Sequence, residues 1–233
     1  MCAVRSFLLS LLALSLLLSA CAPVGASDLQ PSGTQEEFLS TICFLGDSTT
    51  AHMQQRSPLR PEQVWATRER YLNLDSRITY ARILAPDTGK EEEIAVVAGR
   101  VRPPYLVITL GVDYGVYYYR DQPETFRFYY EKLLSALRDA SPDTVCILQS
   151  IFPVGRGSTV ITNAMINSAN AVIRDIAREH GLFYLDQQPV LADEEGFLRQ
   201  EFCYSEDGIH LTASAYDAIL QNLMAQEKEI TKL

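Results

Sequence analysis

Thr41-Ile42-Cys43-Phe44-Leu45-Gly46-Asp47-Ser48-Thr49-Thr50 is the stretch on which the fold turns. Residues 41–45 form a short apolar run of strand length, a glycine closes it, and the hydroxyl residues that follow suit the start of a helix. Ser48 then falls at the carboxyl end of a strand, where open α/β sheets place their ligands. Asp47, beside it, reads as a brace for the turn.

Outward from there, apolar runs alternate with amphipathic segments. Strands are predicted at 41–45, 106–110, 144–149 and 182–185, with a further one at 77–83. Helices are predicted at 92–100, 123–140, 162–180 and 212–228. In the third of these, Ile166, Ala169, Ile173, Ile176 and Ala177 recur at helical spacing and the pattern stops at Gly181. Alternation of this kind predicts a three-layer α/β/α sandwich around a parallel central sheet.

Near the end the chain reads Asp207-Gly208-Ile209-His210. A serine hydroxyl is a poor nucleophile until an imidazole takes its proton, and a carboxylate that fixes the imidazole's tautomer completes the set. Asp207 and His210 are close enough in sequence for one turn of backbone to present both. Alternatively, Asp207 caps the helix that begins near Thr212. His52 is the rival base, one helical turn after Ser48, but it has no carboxylate placed as Asp207 is. His180, just before Gly181, reads as a helix-terminal group facing the last carbonyls.

With these residues in view the chain resembles the SGNH hydrolases, or GDSL-type esterases. The matching blocks are Gly46-Asp47-Ser48-Thr49, Gly111-Val112-Asp113 and Asp207-Gly208-Ile209-His210, and the likeness runs from about Thr41 to Met224. It implies a flavodoxin-like sandwich, ester hydrolysis by Ser48, His210 and Asp207, an oxyanion contact from the Ser48 N–H, and no cofactor. Two departures stand out. Asp113 holds the place of an asparagine that donates to the oxyanion, and no glycine lies between Gly46 and Gly89, with Arg70 near the place where one donates its N–H. Asp113 could be protonated and donate, or pair with a cation, or mark the loss of ordinary esterase chemistry. The opposite charges suggest a compensating Arg70–Asp113 pair, which puts Ser48, Asp113 and Arg70 at the oxyanion site.

Arg5, the apolar run 7–18 and Leu18-Ser19-Ala20-Cys21 have the order of a signal peptide. The tetrad also resembles a bacterial lipobox, which implies lipidation at Cys21 and an extracytoplasmic protein anchored to the membrane. Residues 22–38, rich in Pro, Gly and Ser, read as a tether, and 39–233 as the domain. About 200 residues remain after the leader, enough for one α/β domain. The net charge of −9 and the lack of a Lys/Arg run argue against nucleic-acid partners.

Of the five cysteines, Cys43 and Cys146 sit in strand-like runs, where a bridge between them is one option and burial as small hydrophobes the other. Three histidines and no Cys-x-x-Cys argue against zinc. Tyr114 and Tyr117, in the tyrosine-rich segment after Gly111, are candidates for stacking on a sugar ring or walling an acyl pocket, and residues 126–130 for packing the next helix. Residues 151–155 are either the opposite pocket wall or an ordinary loop. An acetylated carbohydrate or another small ester is the expected substrate. The alternative is a tethered domain that binds carbohydrate without turning it over.

Overall fold

The computed structural model describes residues 33–233. The predicted leader, Cys21 and most of the tether lie outside the described residues. In chain order the elements begin with α1 (Gly33–Ser40), β1 (Ile42–Gly46), α2 (Ser48–Ala51), α3 (Met53–Arg56) and β2 (Val64–Trp65). Next come β3 (Arg82–Leu84), β4 (Glu91–Glu93), α4 (Ile94–Val101), β5 (Tyr105–Thr109), α5 (Pro123–Ala140) and β6 (Val145–Gln149). The last are α6 (Asn163–His180), β7 (Phe183–Leu185), α7 (Gln188–Leu191), α8 (Ala213–Ala225) and α9 (Glu227–Ile230).

Five strands form a sheet in the order β2-β1-β5-β6-β7, every neighbouring pair parallel. Side chains alternate across it. Cys43, Leu45, Leu106, Ile108, Cys146 and Leu148 meet α4, α5 and α6 on one face. Ile42, Phe44, Val107, Ile147 and Leu185 meet Phe38 of α1 and the Tyr216, Ile219, Leu220 and Leu223 stripe of α8 on the other. Both faces of each inner strand are therefore buried, which is why these strands read as unbroken apolar runs. The predicted three-layer sandwich is what forms.

Helix α5 spans the predicted residues, with proline in its first turn. Helix α6 buries all five residues of its predicted stripe, starts on Thr162 as N-cap and ends at left-handed Gly181. His180 does not cap that helix. Its ring lies 3.3 Å from an Arg138 nitrogen and 3.7 Å from Glu131, because Gly181 has already turned the chain. Asp207 is no helix cap either, since the Thr212 hydroxyl accepts the Ala215 N–H and begins α8.

Four further expectations need correction. Residues 77–83 are not a sheet strand: Ile78–Tyr80 is a 3-10 turn, and β3 pairs only with β4, antiparallel and apart from the main sheet. The helix predicted from 92 starts at Ile94, because Glu91–Glu93 are spent on that pairing. Residues 33–38 of the predicted tether are helical, held where buried Phe38 packs edge-on against Tyr105. No bridge joins Cys43 to Cys146: both are free, and Leu106 of the intervening β5 pairs with each of them. Two strand spacings, about 9.5 Å, exceed what a disulfide spans.

Candidate active site

Gly46 lets the end of β1 press against β5. A Cβ there would collide with the Thr109 carbonyl and the Thr50 hydroxyl. Asp47 follows as the N-cap of α2, and one carboxylate oxygen accepts from the Thr49 hydroxyl at 3.0 Å. Its other oxygen accepts from the N–H groups of Gly111 and Val112, at 3.0 and 2.9 Å. Asp47 thus ties the turn after β1 to the turn after β5, the bracing role expected of it. That tie delivers Asp113 to Ser48.

The Ser48 N–H donates to Asp113 Oδ2 at 2.9 Å, and the Ser48 hydroxyl donates to Asp113 Oδ1 at 2.6 Å. Both donors of the candidate nucleophile therefore end on a single carboxyl group. Burial pushes the Asp113 pKa up; its two bonds to Ser48 and the nearby His210 pull the other way without cancelling the rise. Asp47 is raised too, by complete burial first and by the charge of Asp113 second.

Arg70 does not pair with Asp113, which corrects the expected ion pair. Its guanidinium lies 2.9 and 3.2 Å from the Gln55 side-chain amide, whose oxygen accepts from it once the amide is turned over. It lies close enough to His52 to depress that ring's pKa. Arg70 has φ 63°, a left-handed conformation that suits glycine. Its N–H is spent on the Thr67 carbonyl at 3.0 Å, so neither end of Arg70 reaches the expected oxyanion position as a free donor.

Asp207 and His210 do meet. Asp207 Oδ1 accepts the Ile209 and His210 N–H groups at 2.7 and 3.2 Å, and Oδ2 lies 2.7 Å from His210 Nδ1. Desolvation pushes Asp207 up, but these donors outweigh it and hold the carboxyl well below its ordinary range. An ionised carboxylate only accepts, so Nδ1 carries the proton and Nε2 is left as a base.

The loop bearing the pair is buttressed from two sides. The Gly155 N–H donates to the Gly208 carbonyl at 2.7 Å, and Arg56 donates to the Leu211 carbonyl while stacking over Tyr204, 3.4 Å from the ring centre. Residues 151–155 are buried. Of these, Gly155 supports the loop directly.

His52 packs edge-on against the His210 ring, centroids 4.7 Å apart, with Nδ1 buried and unpartnered. Burial, then His210, Arg56 and Arg70, bring its pKa down to about 4. A neutral ring with no carboxylate partner is a poor rival to His210. Its contact with His210 was invisible in sequence, where only its spacing from Ser48 could be read.

Tyr114 stacks on Tyr118 at 4.0 Å, and Tyr117 and Tyr118 are exposed. Of the residues after it, Phe126 and Tyr130 are buried in the core, whereas Phe128 is exposed. Among the described residues no group of three His, Cys, Asp or Glu is placed to hold a metal ion.

The model of the GDSL-like Lipase/Acylhydrolase family matches residues 44–218. The fold is similar to that of a proposed platelet activating factor from Streptococcus pneumonia, with TM-score 0.56 and 16% identity, covering 82% of this chain and 92% of that one. A GDSL-like lipase from Bacteroides thetaiotaomicron VPI-5482 is similar at TM-score 0.53 and 18% identity, covering 87% of this chain and 91% of the other. No curated protein sequence matches. At these identities the structural likeness establishes the fold, and the family match rests on the sequence.

Proposed function

The chain belongs to the GDSL-like lipase/acylhydrolase family, and from that premise we propose that it hydrolyses small acyl esters with Ser48 as nucleophile, His210 as base and Asp207 as orienting carboxylate. The observation that carries the assignment is the 2.7 Å bond from His210 Nδ1 to Asp207, which leaves Nε2 free to act as base. Asp113, bonded to Ser48, also feels the charge of His210, which supports a shared site for nucleophile and imidazole.

In the acylation step Ser48 Oγ attacks the ester carbonyl and passes its proton to His210 Nε2, which returns it to the departing alcohol. Water then repeats the sequence on the acyl-enzyme. The imidazolium formed in each half is stabilised by Asp207. The exposed Tyr117 and Tyr118 support a sugar-bearing alcohol, with Tyr114 stacked against Tyr118 as part of the same wall. We place the substrate among O-acetylated carbohydrates on that ground. The Leu-Ser-Ala-Cys tetrad ending at Cys21 supports a lipid anchor and an extracytoplasmic location.

The test is labelling by a fluorophosphonate, which phosphonylates only an activated serine. Labelling of the parent that is lost in Ser48→Ala and His210→Ala is expected. A folded parent that stays unlabelled would put a carbohydrate-binding domain without turnover ahead of it.

A further inference from the structure

The two Ser48 donors that end on Asp113 create a problem for any acyl transfer at Ser48. The oxygen of an attacked carbonyl must come to rest beside the Ser48 N–H, the place Asp113 Oδ2 now fills. An ionised carboxylate there opposes the developing oxyanion and also holds the hydroxyl proton that His210 needs.

We propose that Asp113 works as a carboxylic acid, a second oxyanion donor beside the Ser48 N–H, and that its ionisation shuts the site. The inference rests on the hydrolase assignment above and adds to it a catalytic residue and a protonation requirement.

Hydrogen-bond bookkeeping decides where the proton sits. The Asp47 oxygens face the N–H groups of Gly111 and Val112, together with the N–H and hydroxyl of Thr49. Three of the four are backbone N–H groups that can only donate, so a proton on Asp47 would meet donors. Asp113 differs at one atom. Its Oδ1 faces a hydroxyl alone, and a hydroxyl can turn round and accept, whereas the Asp47 oxygen that meets the Thr49 hydroxyl also meets the Thr49 N–H. A proton shared by these two neighbouring acids therefore goes to Asp113 Oδ1, and the 2.6 Å bond then runs from Asp113 to Ser48 Oγ. That reversal also frees the Ser48 proton to point at His210 Nε2.

When substrate enters, its carbonyl oxygen displaces Asp113 from the Ser48 N–H. The Oγ–H bond breaks toward His210, the Oγ–C bond forms, and the carbonyl π pair moves to the oxygen. That oxygen accepts from the Ser48 N–H and from the Asp113 O–H. The Asp113 proton stays on Asp113 throughout, and collapse of the intermediate expels the alcohol with the proton held by His210.

Two titratable groups face Asp113 from other elements: Asp47, from the turn after β1, opposes its ionisation, and His210, from the loop before α8, favours it when protonated. Behind His210 stand Asp207, His52, Arg56 and Arg70. Catalysis needs Asp113 protonated and His210 neutral at once. The alkaline limb of the rate profile therefore belongs to Asp113.

The test compares the parent with Asp113→Asn, Asp113→Ala and Ser48→Ala on phenyl acetate from acid to mildly alkaline pH. Asp113→Asn keeps a donor that cannot ionise. It should lose the alkaline limb and exceed the parent at alkaline pH by about tenfold or more, well within the 10²–10³ that one oxyanion donor is worth. Asp113→Ala should lose the same limb but reach a lower kcat than Asp113→Asn. A purely structural Asp113 would lower the melting temperature without moving the limb.

An Asp113→Asn profile with the parent's alkaline limb would overturn the proposal while leaving the hydrolase assignment standing, provided that Ser48→Ala is dead. A parent inert at every pH beside an active Asp113→Asn would also overturn it, because Asp113 would then block without donating. Full activity in Ser48→Ala would remove the hydrolase assignment and this inference with it.

Discussion

His210 holds one proton on Nδ1 because Asp207 accepts it, and that fixes what Nε2 can do. Asp207→Asn keeps the shape and loses the charge, so the imidazole is free to adopt the wrong tautomer. We expect kcat to fall by about 10²–10⁴, the range of a general-base contribution, with KM nearly unchanged. Steady-state kinetics beside a circular dichroism spectrum would check it, and a fall in KM-controlled binding alone would count against the assigned role. At this scale the sequence was legible where partners are near: Asp207 and His210 share a turn, so their pairing could be read from spacing. The Ser48–Asp113 bonds bridge 65 positions, and their direction depends on side-chain rotation that no spacing encodes. Arg70 shows the opposite limit, since the ion pair expected with Asp113 does not form and its guanidinium turns to the Gln55 side chain. Opposite formal charge predicts attraction, but the side chain's reach and competing acceptors decide whether a pair forms.

The ends of the central strands show how an element delivers a side chain. Strand β1 must end against β5 for Asp47 to reach the Gly111 and Val112 N–H groups, and only glycine at 46 permits that approach. Gly46→Ala should therefore destabilise the fold by about 3 kcal/mol, the upper part of the overpacking range. Hydrolysis should fall further than the loss of folded protein explains, because the Asp47 brace and Ser48 shift together. Urea unfolding with activity measured on the same samples would separate the two effects, and a variant as stable as the parent would contradict the packing argument. Long elements were readable because they carry redundant signals: α5 has proline in its first turn and α6 has both an apolar stripe and a terminal glycine. Strand β2 was not, since two residues give no period to detect, and it exists only through its pairing with Phe44 and Leu45. The β3–β4 pair was misread for a related reason, as Glu91–Glu93 look helical in isolation and are drawn into strand by the pairing.

For the molecule as a whole, a parallel sheet with both faces covered gathers the turn after β1, the turn after β5 and the loop before α8 at one site. The buried charge concentrated there makes the stability of the fold depend on pH. Asp47 and Asp113 have pKa values raised by folding. Between the unfolded and folded values the native state binds more protons than the unfolded chain. Their contribution to stability is therefore lost as pH rises through the folded values. Asp207 and His52 are lowered by folding, His52 to about 4, so the unfolded chain binds the extra proton and stability is lost as pH falls. Asp207 acts only below the ordinary aspartate range, whereas between about pH 4 and 7 the loss from Asp47 and Asp113 runs against the gain from His52, so the acid pair blunts the rise in stability there. Asp113→Asn removes one member of that pair and should gain stability relative to the parent as pH rises above the ordinary aspartate range. In a fold of this size each kcal/mol regained reads as about 2–4 °C in Tm. Thermal melts of parent and variant from acid to mildly alkaline pH would show the two curves together at the acid end and separating as pH rises. Parallel curves would mean that Asp113 folds without carrying an unfavourable charge, and the protonation argument would fail together with its stability consequence.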